Sequence, residues 1–230
     1  MRVQLPPPAH TKNLLPQQFI WSANLAYAVG LLITDGSLSK DGRHIILSSS
    51  DIEQLNNFSF CLGITNKISQ TYNNGYAIKP HYRIQFGNVQ LYRWLVKIGL
   101  FPNKTYTIGS IKISKKYFRD LLRGHLDGDG SIVRYIDQYN IYKGKTYINH
   151  RLYVKFISAS NRHILWLQEK IYKSLEIKGA LSYKDRSKPT LLWELKFAKK
   201  DSIKLLNWLY YRNDLPCLKR KRALAEEYLV

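Results

Sequence analysis

Cysteine, long hydrophobic runs and acidic residues are all scarce in this chain, and each shortage closes off a class of protein. Its 230 residues contain two cysteines, Cys61 and Cys217, with no CxxC or Cys/His spacing around them. A disulfide framework and a structural zinc site are therefore excluded as organising devices, and the thiols read as buried or idle in a reducing compartment. No apolar run approaches the ~20 residues of a membrane span, and the opening MRVQLPPPAHTKNLLPQQ lacks the apolar segment that directs secretion. The expectation is a soluble, intracellular protein. Aspartate and glutamate number 16 against 36 lysines and arginines, for a formal charge of +20 spread along the chain. Such an excess predicts a polyanionic partner, because cations that neutralise phosphates release condensed counterions. Nucleic acid fits that description. An anionic membrane fits poorly, since no basic amphipathic helix stands out, and a ribosomal or merely basic protein is the plainer alternative.

What is present is a pattern written twice. At this length the chain can form one large domain or two small ones with a real core. Leu25, Ala28, Val29 and Leu32 recur at helical spacing before Asp35-Gly36, and Phe118, Leu121, Leu122 and Leu126 do so before Asp129-Gly130. Gly36 and Gly130 read as the left-handed residues that end these helices. Hairpin chemistry follows each: Asp41-Gly42 in the first case, Lys143-Gly144 in a longer second version. Serine-bearing strand ends (Ser48 and Ser50, Ser158 and Ser160) then lead into helices for which Asp51 and Asn161 are candidate caps. A second hairpin comes next, turning at Asn74-Gly75 in the first half. Its return arm alternates, Tyr82, Ile84 and Phe86 against His81, Arg83 and Gln85, and its counterpart sets Leu191, Trp193, Leu195 and Phe197 against Leu192, Glu194 and Lys196. A last helix closes each half, within VQLYRWLVKIGLFPNK and DSIKLLNWLYYRNDLPCLKRK. The order helix, hairpin, helix, hairpin, helix is thus duplicated, with the two aspartates 94 residues apart. The join at 106–116 is too short for a flexible linker, so the halves are expected to share an interface.

Aligned, residues 28–36 and 122–130 place Gly30 and Thr34 opposite Gly124 and Gly128, small residues four apart that make a flat strip on each helix. Two helices packed through such strips approach closely, a steric rule best documented in membranes. Their carboxyl ends then coincide and Asp35 meets Asp129. Two carboxylates at helix carboxyl ends repel each other and the local dipoles. Divalent cations relieve that repulsion, and oxygen ligands select a hard ion such as Mg²⁺, which beside phosphates can activate water and stabilise a leaving oxygen.

These paired motifs, with the element order behind them, resemble the two-motif LAGLIDADG homing endonucleases over residues from about 22 to 230. The resemblance implies an α+β fold of two pseudo-symmetric αββαββα halves, packed through the motif helices, with antiparallel sheets forming a DNA-binding saddle. The expected division is an N-terminal extension (1–21), a first half (22–112) and a second half (113–230). It further implies a monomer, associated with intron or intein mobility, that binds a long double-stranded target and cuts both strands with Mg²⁺, leaving short 3′ overhangs; Mn²⁺ or Ca²⁺ would substitute for binding. Asp35 and Asp129 fall on the family's metal-binding acids, and the carbonyls of Thr34 and Gly128 on its backbone ligand. Lys104 and Lys221, with Lys219 as alternative, fall on its basic residue near the scissile phosphate, where a lysine stabilises developing charge. Ser50 and Ser160, with Gln54 a turn beyond Ser50, fall on its solvent-holding position, although serines there also serve as local caps. The second copy departs from the motif at Arg123 and His125, and the first at Ile33. Asp127 reads as a structural or supporting acid, or as a solvated residue of the last turn.

Period 2 selects the nucleic-acid face. In KTYINHRLYVKF, Lys145, Tyr147, Asn149, Arg151, Tyr153 and Lys155 share one side, suited to phosphates and base edges. Lys40, Arg43, Lys79, His81, Arg83 and Gln85 are the first half's candidates, and Lys184, Arg186, Lys188 and Lys196 extend the second half's, although surface strands carry lysine for solubility too. The 17 tyrosines most often signify packing. Two rivals keep the fold or the charge without the cutting: an intron RNA maturase or non-cleaving DNA-binding regulator, and a structural RNA-binding protein. A pure binder has no physical need for two close carboxylates beside phosphates. The abundance of Lys, Asn, Ile and Tyr suits an AT-rich genome, whether the protein works in a cytoplasm or nucleoid or in a mitochondrion or chloroplast.

Overall fold

A computed structural model describes residues 19–71, 80–142, 144–184 and 192–229. The elements run α1 (Ala23–Thr34), β1 (Gly36–Leu38), β2 (His44–Ser49), α2 (Ile52–Leu62), β3 (Ile68–Thr71), β4 (His81–Gly87) and α3 (Val89–Ile98). After 3₁₀ turns at Lys104–Tyr106 and Lys115–Tyr117 the order repeats: α4 (Phe118–Asp129), β5 (Ser131–Tyr142), β6 (Lys145–Ser158), α5 (Asn161–Leu175), β7 (Ala180–Lys184), β8 (Leu192–Phe197) and α6 (Lys199–Leu209). A short α7 (Lys219–Ala225) is added at the end. The fold is α+β, with two four-stranded antiparallel sheets of the same order, β1-β2-β4-β3 and β5-β6-β8-β7. Each half is thus αββαββα. Among the described residues no helix is long and apolar enough to cross a membrane.

The two motif helices form the centre. Every residue of α1 from Leu25 to Ile33 is buried, as expected of a helix that is apolar all round. Ser22 caps it by accepting the Leu25 N–H at 3.1 Å. Helix α4 is buried over Phe118 and over Asp120–Asp127, although four of those residues are polar. The small-residue strips pack as expected. A Cβ on Gly30 would lie 2.1 Å from the Leu121 carbonyl oxygen, and one on Gly124 would lie 2.1 Å from that of Tyr27. Backbone touches backbone here, so no larger residue fits.

The helix ends differ from expectation. Gly36 and Gly130 are not left-handed: α1 is closed by Asp35 (φ −98°, ψ 0°), and Gly130 is extended (φ −89°, ψ 167°). What requires glycine is space, since the chain folds back onto its own last turn. A Cβ on Gly36 would lie 2.5 Å from the Leu32 Cα, and one on Gly130 would lie 2.7 Å from the Leu126 Cα. True left-handed caps occur at Gly63 and Gly99.

Alternation behaves as read. Ile45, Leu47, Ile84 and Phe86 face the first half's core, and Leu152, Val154, Phe156, Leu195 and Phe197 the second's. Asp41-Gly42 turns between β1 and β2, with Gly42 at φ 77°. Gly144, at φ 73°, stands between β5 and β6, while Lys143 and the Asn74-Gly75 turn lie outside the described residues. The segment read as one final helix is two, because α6 stops at Leu209 and Pro216 cannot donate to a continued helix. The irregular run between them and the start of α7 both meet the first half: Asn57 Nδ2 donates to the Cys217 carbonyl at 2.9 Å, and Arg220 of α7 pairs with Asp51 at 2.9 Å. The connector between halves is packed as well, with Ile108 and Ile111 buried.

Candidate active site and nucleic-acid interface

Helices α1 and α4 end side by side, and the last small pair does the joining. The space that Gly128 leaves is filled from the other helix. A Cβ there would lie 1.9 Å from Thr34 Oγ1 and 2.7 Å from Asp35 Oδ2. Asp35 is therefore laid against the residue preceding Asp129, and the adjoining helix ends form the floor of the candidate site.

The two carboxylates are held differently. Asp35 Oδ2 accepts from Gln54 Nε2 at 2.6 Å and from Thr34 Oγ1 at 3.2 Å. Burial raises its pKa, and those two hydrogen bonds, with Lys221 and Lys104, work against the rise. Asp129 has an open side to solvent, yet crowding by protein, then the negative charge of Asp35, pushes it up to about 6. No side-chain hydrogen bond to Asp129 occurs among the described residues. An acid whose proton affinity is lifted by burial and by its neighbour's charge belongs to a site whose charge a cation would balance. Among the described residues no third His, Cys, Asp or Glu joins them to make a metal cluster. The donors present fit Mg²⁺, which commonly takes one or two carboxylates and completes its shell with carbonyls, water and substrate phosphate.

Both predicted lysines converge on this floor. Lys104 Nζ donates to the Gly36 carbonyl at 2.5 Å, and Lys221 Nζ to the carbonyls of Leu126, Asp127 and Gly130 at 2.6, 2.7 and 2.7 Å, with that of Gly128 at 3.4 Å. Gly36 and Gly130 are equivalent positions, so each half sets a lysine under the end of its motif helix, where carbonyls lack partners and the dipole is negative. Burial lowers each ammonium to about 8, against the pull of Asp129 and Asp35 on Lys104 and of Asp127 on Lys221. Lys219 is exposed, and its backbone N–H donates to Glu53 at 3.2 Å.

Two charged residues of the second motif helix, Arg123 and Asp127, are structural. Arg123, fully buried, donates from Nη1 to Asp120 at 2.9 Å and to the Leu209 carbonyl at 3.2 Å, and from Nε to the Pro216 carbonyl at 3.0 Å. Asp127, also buried, accepts from Tyr27 Oη of the other motif helix at 2.8 Å and from the Leu218 N–H at 2.9 Å. It is not a solvated residue. Burial lifts it to about 6.

The serines fall elsewhere. Ser50 is exposed at the strand end, and the buried Ser49 instead donates to Gln54 Oε1 at 3.3 Å. Ser160 takes the cap position assigned to Asn161, and its hydroxyl donates to the Ile108 carbonyl at 2.5 Å. Neither Ser50 nor Ser160 has a hydrogen bond to either aspartate. Unread in the sequence was a buried imidazole pair, His125 stacked on His163 with centroids 5.3 Å apart. Its one legible signal is that His163 stands three residues after the cap of α5, as Gln54 does after the cap of α2.

Above this floor the strands offer their second faces. In the second half, register puts Tyr147, Asn149, Arg151, Tyr153 and Lys155 beside Lys196, opposite the buried Leu152, Val154 and Phe156. Lys145 and Tyr147 are exposed, Arg151 pairs with Asp137 at 2.9 Å, Lys155 with Glu194 at 3.4 Å, and the Lys196 ammonium stands 5.1 Å from the Tyr153 ring. In the first half Arg83 Nη2 donates to Gln85 at 2.5 Å, with His81 on the same face, while Lys40 and Arg43 are exposed near the hairpin turn. The Lys184 backbone pairs with Leu192 at the sheet edge. Lys79, Arg186 and Lys188 lie outside the described residues.

No family model matches the sequence, and no curated protein matches it significantly. Solved structures do match by shape. The meganuclease I-SmaMI bound to uncleaveable DNA aligns over 90% of this chain and 90% of its own, with 12% identity and a TM-score of 0.57. The I-LtrWI LAGLIDADG homing endonuclease bound to target DNA aligns over 90% and 88%, with 15% identity and a TM-score of 0.55. Full-length DUF199/WhiA from Thermatoga maritima aligns over 94% of this chain but 64% of its own, with 12% identity and a TM-score of 0.54. Paired motif helices, two equivalent sheets and agreement with I-SmaMI and I-LtrWI over about 90% of the chain establish that it has the two-motif LAGLIDADG homing endonuclease fold.

Proposed function

We propose that this chain is a site-specific endonuclease that hydrolyses both strands of a long DNA target with a divalent metal, leaving short 3′ overhangs. The observation that carries the reading is the meeting of Asp35 and Asp129 at adjoining helix ends, beneath two strand faces rich in cations. Two carboxylates that repel each other at a phosphate-binding surface are costly for a pure binder and useful for metal-assisted hydrolysis. Mg²⁺, when bound by Asp35 and Asp129, would supply Lewis acidity toward the phosphate and an acidified water. The chain's own groups do the rest: the strand faces hold the duplex, Gln54 fixes the Asp35 carboxylate, and Lys104 has N–H groups to offer a phosphate oxygen. I-SmaMI and I-LtrWI, described as DNA-bound, support a DNA partner for this fold.

Selection of cleavable sites from a randomised DNA library in Mg²⁺ tests the reading and yields the target together. Asp35→Asn and Asp129→Asn are each expected to abolish double-strand cleavage while binding persists. Cutting that survives either change would sink the metal assignment. Binding without cutting by the unaltered protein, in every divalent ion tried, would favour the regulator or maturase reading. Apparent affinity should fall steeply with salt.

A further inference from the structure

The first half is without acids over most of its length. Residues 54–119 carry ten lysines and arginines and not one aspartate or glutamate. Some of these cations already have a place: Arg83 lies on the strand face offered to DNA, and Lys104 reaches the floor at the Gly36 carbonyl. Five others gather elsewhere. Arg93 and Lys97 stand on the exposed side of α3, four residues and about 6 Å apart along its axis. The Lys112 N–H donates to the carbonyl of Ile98, the last residue of α3, at 2.8 Å. Lys115 and Lys116 follow in the exposed 3₁₀ turn that leads into α4.

This patch is turned away from the saddle. Helix α3 buries Leu91, Tyr92, Leu95 and Ile98 in the core that Ile45, Leu47 and Ile84 of the first sheet also enter, so its exposed side points away from the strand face that meets DNA. Lys115 and Lys116 stand at the amino end of α4, whose other end carries Asp129, and 12 residues of helix set the two ends about 18 Å apart. Among the described residues no ion pair engages any of the five. The next acids along the chain are committed, Asp120 to Arg123 and Asp214 to Arg212. On the strand face of the second half, by contrast, Arg151 is tied to Asp137 and Lys155 to Glu194. A surface that reads base edges gains from cations held in one geometry. Cations without acid partners suit phosphates, which an ammonium meets as a point charge whatever the sequence.

We propose that this far pole, formed by Arg93, Lys97, Lys112, Lys115 and Lys116, holds a second segment of duplex DNA through its phosphates, so that one chain bridges two duplexes and passes from one to the other without release into solution. Clustered charge of one sign attracts a polyanion. Duplex DNA is the polyanion always at hand, because a protein seated on its target has distant segments of the same molecule around it at high effective concentration. The inference rests on the DNA-binding reading above and adds a second site to it.

The test uses the full chain in a chelator, its selected target duplex with one label and an unrelated duplex with another. Sedimentation is expected to show one protein chain carrying both duplexes at once, and release from the target should quicken as the unrelated duplex is raised in concentration. Five phosphate contacts predict a slope of about −4.5 for the logarithm of the second affinity against the logarithm of salt. Changing Lys97, Lys112, Lys115 and Lys116 together to Glu should weaken the second duplex at least about tenfold and abolish the quickened release. At physiological salt, where exposed charges are screened beyond about 8 Å, the same variant should bind its target and cut it in Mg²⁺ as the unaltered protein does. That also shows it to be folded, and the four changes to Gln supply a milder version. Binding of the unrelated duplex only after the target leaves, or a two-duplex complex undiminished in the Glu variant, would overturn the proposal and leave the nuclease reading intact. A structured RNA of equal length that displaces the second duplex but not the target would overturn it as well, and would give the pole to RNA. Failure of the unaltered protein to bind any selected duplex would remove the DNA-binding reading and this inference together.

Discussion

The two halves finish their motif helices with the same residue type and use it unequally. In the first, Lys104 gives one hydrogen bond to the helix end, at the Gly36 carbonyl. In the second, Lys221 spreads its ammonium over the carbonyls of Leu126, Asp127 and Gly130. An ammonium has three protons to donate, so Lys221 is spent on holding the helix end while Lys104 keeps two donors for another oxygen. Symmetry of sequence position does not guarantee symmetry of role. The second half also carries the polar interior. Where α1 has Val29, α4 has Arg123, fully buried and tied to Asp120, to the carbonyl of Leu209 at the end of α6 and to that of Pro216 in the irregular run between α6 and α7.

That polar anchor is the largest difference to break. Arg123→Val imports the first half's residue and leaves Asp120, 1% exposed, as a buried charge without its arginine. A loss of about 3–5 kcal/mol is expected, measured by denaturant unfolding. The double change with Asp120→Leu should cost less, because no uncompensated charge is left behind. A single substitution as mild as a surface change would mean that the run from Tyr210 to Leu218 is held by other contacts.

The lysine comparison comes next. Lys221→Met strands three buried carbonyls and should lower stability by about 3 kcal/mol. Lys104→Met should lower it less and instead slow cleavage about 100-fold, the effect of removing one donor aimed at developing charge. Equal destabilisation by both would break the division of labour. Equal slowing with little destabilisation would restore the symmetric assignment.

How much of this was legible depends on how local the cause is. Helix periodicity, strand alternation and the glycine strips are patterns within a few residues, and the faces they define are the faces observed. The meeting of Asp35 and Asp129 followed from the strips by geometry. Contacts between distant, irregular segments left no such pattern: Arg123 reaches Pro216, and Asp127 reaches Leu218, across about 90 residues. Gly36 and Gly130 looked like left-handed caps, since spacing alone does not separate a need for positive φ from a need for room. Of the serines at the end of β2, Ser50 is exposed and Ser49 is the inward one that meets Gln54, since in a strand one residue reverses the face. His163 was hidden because its likeness to Gln54 is positional and not chemical.

The smallest expected effect sharpens the carboxylate comparison in the metal-free protein. Asp129 titrates near 6, above the ordinary aspartate value, so the fold disfavours its charged form. A group with a raised folded-state pKa contributes stability that is fully present below the unfolded value, near 4, and is lost as pH rises through about 6. Asp129→Asn never carries the charge. Its Tm should therefore exceed that of the unaltered protein slightly at pH 7, with the gap closing as pH falls from about 6 toward 4. Asp35→Asn should gain less, because the amide of Gln54 and the hydroxyl of Thr34 favour the charged form of Asp35 and oppose its upward shift. Thermal melts of both variants in a chelator, from pH 4 to 8, read the difference directly. Identical gains would mean that the Gln54 bond does not distinguish the two acids, and saturating Mg²⁺ should cancel or reverse the Asp129→Asn gain, because the cation stabilises only the protein that still offers it a charge.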